Sequence, residues 1–217
     1  MSPLANLQLA RLILDPQHRG TYKLVRDLDL MHKVTALALP PEASPRDAHL
    51  LWRMDGVAQA RPIVSVQCTG DWDPARYAQV EEALEVKGPI PMGEQWADKV
   101  TAGSLWAFRA RLNPTWMEND TRRRRPLLEY DQQAEWLLRQ SKGAFTYAND
   151  PVWGEVDLAI DNEGPLTSRT RGLTLGAVSY RGTLQVRDPE LFQELIVRGV
   201  GRGKSFGMGL LQLQPRI

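Results

Sequence analysis

Gly199-Val200-Gly201-Arg202-Gly203-Lys204-Ser205-Phe206-Gly207-Met208-Gly209, followed by Leu210-Leu211-Gln212-Leu213, decides between two folds. Gly203-Lys204-Ser205 has the ending of a P-loop, Gly-x-x-x-x-Gly-Lys-Ser/Thr, which sits between a strand and a helix in nucleotide-binding α/β proteins. The first glycine of that motif would fall on Arg198, and only twelve residues follow Ser205, with Gly207, Gly209 and Pro215 among them. Both tests of context fail. What remains is a glycine-rich connection leading into a terminal strand, Leu210–Gln214. Glycine allows tight turns and close approach. N–H groups beside Arg202, Lys204 and Ser205 would suit a phosphate, and the same glycines equally suit tight packing of the strand.

Working back from this loop, Asp188 caps a helix with Pro189 in its first turn, running to about Arg198. Leu173–Val186 and Glu155–Ile160 read as strands, with Asp161-Asn162-Glu163-Gly164-Pro165 as the turn between them. Pro126–Gln140 has helical spacing, and Ser104–Leu112 alternates as a strand. The N-terminal part repeats the order. Leu7–Leu14 is a strand, and Leu24 to about Leu39 a helix stopped by Pro40-Pro41. His49–Met54 and Pro62–Gln67 are strands joined through Asp55-Gly56. A short helix capped by Asp71 or Asp73 runs to about Leu84, and Glu85-Val86 opens a fourth strand. The fold class is therefore α+β, with two tandem ferredoxin-like (RRM-like) βαββαβ domains. The expected division is 1–87 for the first domain, 88–100 for a Gly- and Pro-bearing linker and 101–217 for the second.

Composition narrows the function. The 217 residues are 42% hydrophobic and 24% charged, which describes a globular chain. The single cysteine, Cys68, excludes a disulfide framework and points to a reducing, cytoplasmic setting. Three histidines and one cysteine make a zinc cluster improbable, so no metal is assigned. No apolar run approaches a membrane span, and Met1-Ser2-Pro3-Leu4 lacks the start of a signal peptide. A net charge of +1 conceals an asymmetry: residues 165–217 hold eight Lys/Arg against three Asp/Glu, whereas residues 1–164 hold 19 against 23. A basic C-terminal quarter suits a polyanionic partner.

Several residues have the chemistry to act on such a partner. His32, on the first helix, follows Asp29 by one turn, so the two share a face, and Lys33 is adjacent. A carboxylate beside an imidazole orients the ring and raises its pKa, and histidine exchanges protons near neutral pH. Arg109 and Arg111 share one face of a strand, opposite Phe108. Arg169 and Arg171 flank Thr170 and precede Gly172, a pattern expected of a projecting basic hairpin arm. Arg122-Arg123-Arg124-Arg125 reads as a solvated loop able to track phosphates. Trp52, Trp106 and Trp136 fall at core positions.

Phe108-Arg109-Ala110-Arg111-Leu112-Asn113-Pro114 resembles the F-R-[LA]-R-x-N-P strand of the CasE family, the CRISPR RNA-processing endoribonucleases of the RAMP superfamily. The glycine stretch from Gly199 to Leu211 resembles that family's terminal motif. Val178-Ser179-Tyr180-Arg181-Gly182 resembles its V-x-F-x-G strand, and Met31-His32-Lys33 its histidine helix. The resemblance implies binding of a CRISPR repeat RNA stem-loop and metal-independent cleavage at its base, with no cofactor. It implies retention of the mature RNA within Cascade, beside other subunits and chiefly the backbone subunit, with target DNA met only through that assembly. His32 would be the catalytic histidine. Lys204 and the loop amides would hold the phosphate, and Lys33, Arg109, Arg111, Arg169, Arg171, Arg202 and Ser205 would contact RNA. One departure stands out: many members carry tyrosine three residues before the histidine, where this chain has Asp29. An anion there would repel the scissile phosphate, which leaves open a subunit that binds the hairpin without cutting it. Tyr22 is the nearest tyrosine.

Overall fold

Alternating burial along β1 (Leu7–Leu14) sends Ala10, Leu12 and Leu14 into one core and Leu7 towards another. This strand therefore belongs to the contact between two halves. A computed structural model describes residues 2–55, 61–168 and 171–216 of the chain. After β1 come α1 (Arg19–Arg26), α2 (Leu28–Ala36), β2 (Leu51–Asp55), β3 (Ile63–Thr69), a 3-10 helix at Pro74–Ala83, and β4 (Leu84–Pro91). The strands form an antiparallel sheet in the order β2-β3-β1-β4. A short α3 (Gly93–Ala97) leads to β5 (Leu105–Leu112), the hairpin β6 (Thr115–Met117) and β7 (Arg124–Pro126), and α4 (Tyr130–Ser141). Then follow β8 (Phe145–Tyr147), β9 (Leu158–Ser168), β10 (Leu173–Val186), α5 (Pro189–Arg198), a 3-10 turn at Lys204–Phe206, and β11 (Leu211–Arg216). The second sheet runs β11-β5-β10-β8, with β9 also paired to β10. Both sheets have the strand order of a ferredoxin-like unit, so the tandem arrangement expected from element order is present.

Local chemistry moved several boundaries. The single helix expected over 24–39 is two helices. Asp27 is extended, at φ −116° and ψ 98°, and its side chain accepts the Leu30 N–H, so it caps α2 where a continuous helix would pass through. His18, expected in a loop, caps α1 by accepting the Gly20 N–H at 3.1 Å. The helix expected from Pro126 starts at Tyr130, because Pro126 ends β7. Residues 88–100, expected as a linker, include the end of β4 and all of α3. The turn expected at 161–165 lies inside β9. There Gly164, at φ 90°, opens a bulge in which Glu163 has no backbone pairing partner on β10 and the register shifts between Ala177 and Val178. The Gly56 end of the β2–β3 connection lies outside the described residues. No helix among those described is long and apolar enough to cross a membrane.

Each half has its own core, and the two interlock. Leu4, Leu7, Trp96 and Val100 pack into the C-terminal core against Trp106 and Phe192, with Trp96 meeting Trp106 edge-on at 5.7 Å between ring centroids. In return, Phe206 is buried in the N-terminal core with Trp52. Polar groups bridge the same boundary: Gln67 Nε2 donates to the Ile196 carbonyl at 2.8 Å, and Gln212 Nε2 to Ser65 Oγ at 2.7 Å. Gly207, at φ 73°, lies so close to Trp52 that a Cβ would sit 2.7 Å from the indole. One glycine here meets both needs, a left-handed backbone and a bare Cα.

Candidate functional site

The site is assembled where α2, the β9–β10 hairpin and the glycine loop meet. Asp29 is 7% exposed and faces the hairpin. Ser168 Oγ donates to its Oδ2, and Arg171 Nε lies 2.8 Å from its Oδ1. The Arg171 backbone N–H donates to the same Ser168 hydroxyl at 3.1 Å. The guanidinium is then stacked 5.2 Å above the Phe206 ring, with Nη1 3.5 Å from Ser205 Oγ. Asp29 therefore spends its charge on the hairpin arginine, and Arg171 is held on the side of the loop that faces α2 (Leu28–Ala36).

His32 is half-buried beside this group, and its Nδ1 is buried with no hydrogen-bond partner among the described residues. Its pKa lies below the ordinary 6.5: burial is the largest cause, the Arg171 charge adds to it, and Asp29 opposes it. This corrects the expectation that Asp29 would raise the imidazole, because desolvation and the arginine outweigh it. Lys33 is exposed one residue on. Tyr22 is 65% exposed on α1, with Arg26 4.9 Å over its ring.

The glycine loop has two sides. Ser205 and Phe206 face Arg171, whereas Lys204 and Arg202 line a cavity of about 400 Å³ whose lining does not include His32. Lys204 Nζ donates to the Arg198 carbonyl, and burial, then the Arg198 charge, hold its pKa below 10.5. The amide cradle is narrower than expected. The N–H groups of Val200, Phe206, Gly207, Met208 and Gly209 all donate within the protein, for instance Gly209 to the Arg111 carbonyl at 2.9 Å.

The remaining sequence candidates separate. Arg109 is exposed on β5. Arg111 is ion-paired with Glu163, which also accepts from Ser179, and Arg53 pairs with Asp55 at 2.8 Å nearby. Arg111 thus belongs to a polar layer between the two sheets, with Nη2 engaged by Glu163 and Nε buried without a partner among the described residues. Arg169 lies outside the described residues. Arg124 and Arg125 belong to β7, paired with β6, so the arginine run is partly a hairpin strand. Sequence reasoning missed Ser168 and the stacking role of Phe206. Ser168 lies 139 residues from Asp29 and carries no local signal, whereas Phe206 was visible as the one aromatic inside the glycine run.

Residues 7–215 match a family model described as CRISPR associated protein. The chain is 27% identical to the CRISPR-associated endoribonuclease Cse3 of Thermus thermophilus, over 95% of its own length and 99% of that protein's. The structure of Thermus thermophilus Cse3 bound to an RNA representing a pre-cleavage complex matches with a TM-score of 0.84 and 28% identity, covering 97% of this chain and 100% of that one. Cas6e from Escherichia coli str. K-12 matches in fold, with a TM-score of 0.65, 20% identity and coverage of 96% and 100%.

Proposed function

The chain belongs to the CRISPR associated protein family, and on that premise we propose that it is an endoribonuclease that cuts precursor CRISPR RNA at the base of the repeat stem-loop and stays with its product in Cascade. The observation that carries this reading is His32, half-buried and held below its ordinary pKa beside an arginine fixed in place by Asp29. A neutral imidazole is a competent base at neutral pH. Its Nε2 takes the proton of the ribose 2′-OH, since Nδ1 is buried. The 2′ oxygen bonds to the adjacent phosphorus, the bond to the 5′ oxygen breaks, and that oxygen leaves as a hydroxyl by taking a proton from water, while the His32 imidazolium returns its proton to solvent. The products are a 2′,3′-cyclic phosphate and a 5′-hydroxyl.

Arg171 supplies positive charge where the phosphorane develops, and Ser205 sits at hydrogen-bond range of its guanidinium. In this reading Lys33 and Arg109, both exposed, meet RNA phosphates, Arg202 and Lys204 serve RNA on the far side of the loop, and Arg169 is a sequence-based candidate. A second reading, a hairpin-holding subunit without cleavage, draws on Asp29 standing where the family has tyrosine. The pairing of Asp29 with Arg171 offsets the repulsion on which that reading relies.

The test uses purified protein, EDTA and labelled repeat RNA from the organism's own array, resolved on a denaturing gel. One cut below the stem with a cyclic-phosphate end is the expected result. Tight binding with no cut would establish the second reading.

A further inference from the structure

The cavity behind the glycine loop is unused by the chemistry at His32. Its lining brings together Arg124 from β7, Lys142 at the end of α4, Arg198 at the end of α5, and Arg202 and Lys204 from the loop. It includes no carboxylate, and none of the five cations forms a salt bridge among the described residues. Five like charges around about 400 Å³ create a positive potential that suits a polyanion. Three successive backbone N–H groups, those of Gly201, Arg202 and Gly203, find no acceptor among the described residues. Such a run is a ready anion site.

One more group distinguishes among anions. Asn113 lines the cavity, is 5% exposed, and leaves its Oδ1 buried without a partner. A ribose 2′-hydroxyl both donates and accepts, so it pairs with this amide whichever way the amide is turned, and it brings phosphates on either side. The loop that separates the cavity from His32 is only a few residues thick. Ser205 faces Arg171 on one side, and Lys204 lines the cavity on the other.

We propose that this cavity is a second RNA site, holding the sugar–phosphate backbone of single-stranded RNA next to the base of the stem. It rests on the endoribonuclease reading and adds a contact outside the hairpin. The site would make the protein sense the flank of the repeat as well as its stem.

The experiment compares two RNAs, each with 2′-deoxyribose before the cut: the bare stem-loop, and the stem-loop with single-stranded flanks. Affinities are measured by fluorescence anisotropy for the unaltered protein and for Lys142→Glu/Arg124→Glu, both exposed at the cavity rim. The unaltered protein is expected to bind the flanked RNA more tightly and with a steeper salt dependence, by about 1.4 in log–log slope for two single-strand phosphates. The double variant should lose about tenfold for the flanked RNA, each rim charge contributing a modest screened attraction, and leave the bare stem-loop within about twofold. An unchanged preference for the flank in the variant would overturn the site. So would equal losses on both RNAs, which would assign the cavity to the stem. Loss of binding to an acidic peptide with RNA affinity intact would assign it to a protein partner instead. If the unaltered protein binds the bare stem-loop but ignores the flank, the inference falls and the endoribonuclease reading stands. If it binds neither RNA, both fall.

Discussion

At the scale of single residues, the site is organised by a carboxylate engaged by protein groups, Ser168 and Arg171. Asp29 holds Arg171, and Arg171 together with burial lowers the pKa of His32. His32→Ala should reduce single-turnover cleavage by about 10²-fold or more, the usual worth of a general base, while gel-shift affinity for the hairpin is retained. Loss of both would make His32 structural. The pH profile follows from the direction of the shift. A base that must be neutral loses activity as pH falls through its pKa. The acid limb of kcat/KM should therefore have its midpoint below 6.5, and a midpoint above that value would show that Arg171 and burial do not dominate. Asp29→Asn removes the one influence that raises the imidazole, so the limb should move to still lower pH while the plateau rate drops as Arg171 loosens. His32 and Asp29 were readable from their one-turn spacing. The sign of the pKa shift was not, because the sequence pairs Asp29 with His32, and only the fold brings in Arg171 and the burial that outweigh it.

At the scale of elements, the β9–β10 hairpin and the glycine loop complete what α2 begins. Phe206 illustrates the coupling: its ring fills the N-terminal core and supports the Arg171 guanidinium. Phe206→Ala should destabilise the protein by about 3–5 kcal/mol, visible in urea unfolding. Gly207→Ala should cost about 2 kcal/mol or more, since it combines a left-handed backbone with a collision against Trp52. A variant as stable as the parent would mean that the loop can move away from Trp52. Most elements were readable from periodicity. The failures share a cause. Asp27 looks like an ordinary helix-face residue until its neighbours adopt α1 and α2, and Asn162-Glu163-Gly164 has turn composition that a long antiparallel pairing absorbs as a bulge.

At the scale of the whole molecule, the two sheets share their boundary through Gln67, Gln212 and the paired Arg53–Asp55 and Arg111–Glu163 layer. The tandem ferredoxin-like plan and the basic C-terminal quarter were visible in element order and charge. The polar layer was not, because its partners lie far apart in sequence, Gln212 and Ser65 by 147 residues. One consequence concerns synthesis. The helix bearing His32 leaves the ribosome early, yet Ser168, which secures Asp29, follows 139 residues later, and Arg171, Ser205 and Phe206 come after it. In order of synthesis, His32 therefore precedes both the arginine and the aromatic that complete its surroundings. On the endoribonuclease reading, the order of translation acts as an interlock: the arginine and the aromatic that complete the surroundings of His32 are made only after Ser168.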